Sequence, residues 1–209
     1  MTPRGIRATG VALGIAIVTS ATARSAPPGP RDPDWPCEQI KVPQLSLAAV
    51  WSGPPLGQNQ PDWQQDQQVA DLVQETAQRR VPIGQAQEKV QAFAAQAGDQ
   101  KQARLLQLLA GLFSVLDEER NSVIAGLDRF GSRQKELAAQ LRDDNEKLHT
   151  LQADTKSEAG DINQMTQRVT WEAQVYQDRR QALRYACDVP SKIEQRLFAL
   201  ARTIQDAMR

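Results

Sequence analysis

Side chains able to do chemistry are few in this chain, and most of them stand alone. There is one histidine, His149, and Glu146 precedes it by three residues. Glu-x-x-His on a bundle helix is half of a di-iron site, but the other half needs a second such motif and two more glutamates. One histidine excludes a multi-histidine zinc or copper site within one chain. Any Ser-His-Asp or Cys-His engine would have to be built on His149 alone. No Gly-x-Ser-x-Gly elbow, P-loop or dinucleotide fingerprint occurs, and the three methionines, Met1 included, make no copper motif. The sequence therefore predicts no cofactor and no enzyme. Glu146 and His149 are its only metal-ligand candidates.

Carboxylates gather at Asp143, Asp144 and Glu146, and again at Asp117, Glu118 and Glu119. Calcium takes six to eight oxygens, commonly from a flexible loop. A helix spreads carboxylates around its circumference, so both runs read as solvated charge.

Two cysteines, Cys37 and Cys187, complete the reactive inventory. In an exported chain an even cysteine count reads as a disulfide, and with two cysteines the connectivity has one solution. Of the four tryptophans, Trp35, Trp51 and Trp63 lie in or beside a proline-rich segment and read as anchors that fix it to a core. Trp171 stands apart.

These residues must be held by the elements around them. Residues 1–26 have the layout of a secretory signal peptide: Arg4 and Arg7, then the apolar run Gly10 to Val18, then Ala21-Thr22-Ala23 as a cleavage site. That run is short of the roughly 20 residues that span a bilayer. The expectation is a periplasmic or secreted protein with no transmembrane segment in its mature form. The chain has 25 basic and 25 acidic residues. Without the leader's three arginines the balance is 22 to 25, or −3. Such a charge argues against nucleic acid, whose binders carry a basic stripe, and against a polybasic membrane helix.

Residues 27–61 hold nine of the twelve prolines. Proline at this density blocks helix, yet Ile40, Val42, Leu45, Leu47, Val50 and Trp51 are apolar. The segment reads as an extended strap laid across helices and pinned by the disulfide. Residues 62–209 read as one helical domain. Asp62 with Gln65 forms a capping-box pattern, and Val69, Leu72, Val73 and Ala77 make a helical stripe. Pro82 suits a first turn; Val90, Phe93, Ala94 and Ala97 continue to Gly98, a C-terminal stop. Asp99, with Gln102 three residues on, is the expected cap of the next helix.

From Leu106 to Ala186 apolar residues keep one heptad register. With Leu106 at position a, 17 of the 24 a and d positions are apolar, the pattern of long helices packed along a narrow seam. Gly126 and Gly131 imply a kink or an unbroken helix, because the register does not slip across them. The stretch 154–161 is polar, contains glycine and predicts a turn. In a parallel dimer Arg120, Asp144, Glu158, Glu172 and Arg179 would each face their own copy, and like charges brought together are costly. An antiparallel hairpin over about 100–187 avoids this. Its facing residues sum to 313, with Leu137 opposite Tyr176, Asp144 opposite Val169 and Glu172 opposite Leu141. Both acids are expected to lean toward solvent or toward Arg168. Val189-Pro190 ends the second arm, and Ile193, Leu197, Leu200, Ala201, Ile204 and Met208 predict a final amphipathic helix.

The predicted class is therefore all-α: a helical bundle with a long antiparallel coiled-coil hairpin and a proline-rich strap. The predicted function is non-enzymatic binding of another cell-envelope protein, as an adaptor or scaffold. Arg129, Arg133, Arg142, Arg168, Arg179 and Arg180 are candidate contacts. The competing expectation is a periplasmic bundle whose helices 62–97 and 190–209 enclose a ligand or metal beside the strap.

Overall fold

The computed structural model describes residues 32–56 and 62–209. The expected signal peptide, residues 27–31 of the strap and its last residues, 57–61, lie outside this range. Among the described residues every regular element is helical. A short α1 (Leu47–Val50) lies within the strap. It is followed by α2 (Gln67–Ala77), α3 (Ile83–Gln96), a 3-10 turn at Gly98–Gln100, α4 (Lys101–Ala153), α5 (Ala159–Cys187) and α6 (Val189–Ala207).

Local chemistry sets most of these boundaries, though not always through the expected residue. Asp62 does turn back on itself, accepting from the Gln64 amide and the Gln65 side chain. The cap of α2, however, is Asp66, whose carboxylate accepts from the amides of Gln68 and Val69. Helix starts four residues later because Arg104 of α4 grips this second aspartate at 2.7 and 3.0 Å. Gly98 ends α3 with φ of 52°, a left-handed conformation that glycine adopts without penalty. Asp99 does not cap α4: it lies within the 3-10 turn, and Gln100 precedes the helix with no side-chain cap. The polar turn falls at Asp154–Glu158, between the end of α4 and the start of α5.

Helix α4 runs unbroken for 53 residues, about 80 Å at 1.5 Å per residue. Its first half is buried among α2, α3 and α6; its second half packs against α5. The core lies in that first half. Leu105, Leu108, Leu109, Leu112 and Leu116 are fully buried against Val69, Val73, Val90, Ile193, Leu197, Leu200 and Ile204. Here the heptad frame misplaces the core, since Leu106 and Phe113 at a are only half-buried while Leu105, Leu108 and Leu112 are enclosed. A helix with neighbours on three sides needs a broad apolar arc, whereas a and d alone suffice where it has one partner.

Beyond the bundle, α4 and α5 form the antiparallel hairpin. The turn is centred on residue 156, half a residue from the centre that a sum of 313 implies, and Gln140 of α4 donates to Glu172 of α5 at 3.1 Å. Along this arm the seam residues Leu141, Leu148, Leu151, Ile162, Met165 and Val169 are half-buried, as expected where only two helices shield each other.

The strap crosses the foot of the arm. It runs antiparallel to α4: Val42 is level with Arg120, Lys41 with Asp128, and Asp34 with Gly131 and Lys135. Cys37 is bonded to Cys187 at the end of α5 with 5.6 Å between the Cα atoms. The bridge closes a span of 150 residues, which would restrict the unfolded chain by about 5 kcal/mol on chain-entropy grounds.

Candidate functional site

The projecting hairpin and its foot are where the chain departs from a closed bundle, and they collect the exposed groups of interest. The foot is built by three elements. Gly131 lets the strap approach α4 so closely that a Cβ there would stand 2.0 Å from the Asp34 carbonyl oxygen. Pro36 and Trp35 then lie over Gln134, Tyr176, Arg180 and Leu183, around a cleft of about 260 Å3. The Trp35 indole donates to the Gln39 carbonyl at 2.6 Å. Lys41 lies 5.8 Å over the Trp35 ring and bonds both Asp32 and Asp128. Asp128, first, and then Asp32 raise the Lys41 ammonium above its ordinary value.

Arg120 ties this foot to the bundle. It is 1% exposed and sits at position a, where the heptad pattern has an apolar residue. Its guanidinium donates to Glu194 of α6, to the Val42 carbonyl of the strap at 2.7 Å and to Asn121. One side chain thus joins α4, α6 and the strap. Arg196 does similar service in the bundle, donating to the carbonyl of Thr76 in the last turn of α2 and to that of Val81 beyond it. Burial, outweighing the nearby Glu119, lowers its pKa. The sequence marked Arg120 only as a charge at a core position and assigned neither arginine a tethering role. Arg120 carried a signal, a charge in an apolar position with an acid on the last helix.

The acids of the seam overturn an expectation. Asp144 and Glu172 do not lean to solvent; they are 3% and 5% exposed. Long neighbours cover them: Lys147 pairs with Asp144 at 2.9 Å and Gln140 with Glu172. The Asp144 carboxylate raises the Lys147 ammonium above its ordinary value. Polar layers in a coiled-coil seam cost stability and fix register, which suits a hairpin whose apolar contacts are incomplete.

Glu146 and His149 both lie on the exposed surface of α4. Among the described residues no group of three or more histidine, cysteine, aspartate or glutamate side chains is arranged to hold a metal. The second acidic run is partly absorbed by the fold, with Glu119 paired to Arg79 and Asp117 accepting from Asn121. The six candidate arginines, Arg129, Arg133, Arg142, Arg168, Arg179 and Arg180, are all exposed, and none has an ion-pair partner among the described residues.

The tryptophans divide as expected. Trp51 is buried and donates to the Pro54 carbonyl at 2.7 Å, Trp63 packs on the core, and Trp35 holds the strap. Trp171, on the arm, is 67% exposed. Near the tip an open groove of about 690 Å3 has Leu151 and Met165 as its apolar floor and Asp143, Glu146, Lys147 and Thr150 along its sides. A second groove, about 630 Å3, lies between α1, α3 and α6 beside the strap and is lined by Val50, Gln87, Phe198 and Arg202 among others. Among the described residues no helix is long and apolar enough to cross a membrane. No family profile, curated protein or solved structure matches this chain.

Proposed function

We propose that this is an exported, non-enzymatic adaptor that binds another protein of the cell envelope through its hairpin. The leader pattern at residues 1–26 and the Cys37–Cys187 bond support export, because disulfides persist in oxidising compartments. One observation carries the binding role. Among the described residues the distal half of the arm packs on nothing but itself, leaving its seam half-exposed at a groove whose sides carry Asp143, Glu146 and Lys147. Two helices seldom bury enough apolar surface alone; a third helix laid on Leu151 and Met165 would complete the packing, as in helix-in-groove recognition. The partner's matching face would be apolar with basic flanks, to meet Asp143 and Glu146.

The test is chemical crosslinking in intact envelopes followed by purification of tagged protein. The expected result is one recurrent crosslinked protein with the native chain and its loss with the double variant Asp143→Arg, Glu146→Arg, whose helical circular dichroism should match the native. Recovery of nothing specific, together with turnover of a small substrate by the purified protein, would overturn the proposal.

A further inference from the structure

The outer face of α5 carries a second heptad stripe outside the hairpin seam, exposed throughout except at half-buried Val175. Counting in alternating steps of three and four from Asp161, the stripe reaches Arg168, Trp171, Val175, Asp178, Ala182 and Tyr185. It is centred about 110° around the helix from the seam with α4, at 100° per residue. The strap lies on the opposite side, over Arg180, Leu183, Arg184 and Cys187. Trp171 is 67% and Tyr185 73% exposed, and neither Arg168 nor Asp178 has an ion-pair partner among the described residues. A 3–4 alternation with large aromatics in water is a coiled-coil seam without its partner.

We infer that the partner for this stripe is α5 of a second copy, packed antiparallel about a two-fold axis beside Ala173. In a two-fold antiparallel pair, facing residues sum to a constant, and each three-step position faces a four-step position of the other chain. A sum of 346 satisfies this with every member of the stripe engaged. Arg168 then meets Asp178 of the second copy, and Trp171 meets Val175, each twice. Gln164 faces Ala182, and Asp161 faces Tyr185, whose hydroxyl can donate to the carboxylate. Slipping the pair by seven residues loses this match. A sum of 339 sets Asp161 against Asp178 and Arg168 against Trp171; a sum of 353 sets Arg168 against Tyr185 and Asp178 against Val175. Both shifted registers also leave one pair of layers unfilled. Opposite charge therefore selects the register.

Residue 173 is also the midpoint of α5, which runs from Ala159 to Cys187. The 24 residues from Asp161 to Tyr185 give a contact about 36 Å long. Each hairpin tip comes level with the other chain's junction of α5 and α6, so the two bundles stand at opposite ends of the paired arms. The stripe shares no lining residue with the groove near Asp143 and Glu146, and the inference stands whether or not that groove binds a protein.

Charge exchange tests it on the full mature chain. By sedimentation velocity the native protein should be a dimer. Arg168→Asp sets two aspartates against each other, Asp178→Arg sets two arginines, and each variant should be a monomer with unchanged helical circular dichroism. Mixed in equal amounts, the two variants should form a one-to-one heterodimer, because both contacts again join opposite charges. Rescue on mixing distinguishes this pairing from damage to the fold. Trp171→Ala should weaken self-association roughly thirtyfold or more, as loss of a central aromatic does. A monomeric native protein, variants that dimerise as the native does, or a mixture that stays monomeric would each overturn the inference.

Discussion

Gly131 shows how much a missing methyl group decides. A mid-helix glycine ordinarily costs about 1 kcal/mol against alanine, and by sequence Gly126 and Gly131 look alike. Structure separates them. A Cβ at Gly126 would find nothing nearer than the Arg129 guanidinium at 3.9 Å, whereas at Gly131 it would strike the strap backbone. Gly131→Ala should therefore destabilise the protein by about 1–3 kcal/mol, as overpacking does, and Gly126→Ala should stabilise it by up to about 1 kcal/mol. Urea denaturation midpoints read both; equal effects would mean that the strap does not lie on α4. Single residues were legible where their chemistry is self-contained, as with the two cysteines and the three anchoring tryptophans. Arg120, Asp144 and Glu172 were not. Their burial depends on which long side chain from another turn or helix reaches over them, and a one-dimensional register does not contain that information.

At the scale of elements, periodicity located the hairpin and its turn because each arm faces one partner, and the closing helix because a single apolar stripe carries its burial against α3 and α4. It failed at the bundle, where α4 meets three neighbours, and at two helix starts. The true cap of α2, Asp66, differs from Asp62 in having Arg104 across from it, a tertiary choice between two equally good local caps. That choice has an acid signature. The Arg104 guanidinium, and then the Val69 and Gln68 amides, lower the Asp66 carboxyl below its ordinary 3.8 against the opposing effect of burial. The folded chain thus holds this proton less readily than the unfolded chain. The resulting stability is complete above the ordinary carboxylate value and disappears as pH falls through the lower folded one. Asp66→Asn keeps a capping oxygen but not the charge. It should cost about 1 kcal/mol at neutral pH, with the gap from the native protein closing on acidification through the ordinary carboxylate range and below it. Denaturation midpoints measured across that range check both the size and the sign; a gap that widens in acid would contradict the assignment.

The whole molecule combines a closed bundle with a projecting arm, and the strap joins them: it meets α4 along one side, the end of α5 through sulfur, and α6 through Ser52 and Gln205. Nothing in the composition announced that the same segment would brace all three. Its consequence is mechanical. Cys37 and Cys187 enclose α1 to α5, the entire hairpin included, in a covalent ring that leaves only α6 outside. Tension applied between the strap and the C-terminus takes the short path through the sulfurs, so the hairpin feels no load however hard the ends are drawn apart. Pulled in an optical trap, the oxidised protein should yield a contour length shorter by about 500 Å, the reach of 150 residues, and adding a reductant should release that hidden length in one extra step. An arm spared from stretching in this way can be carried by a taut anchor and still keep its shape.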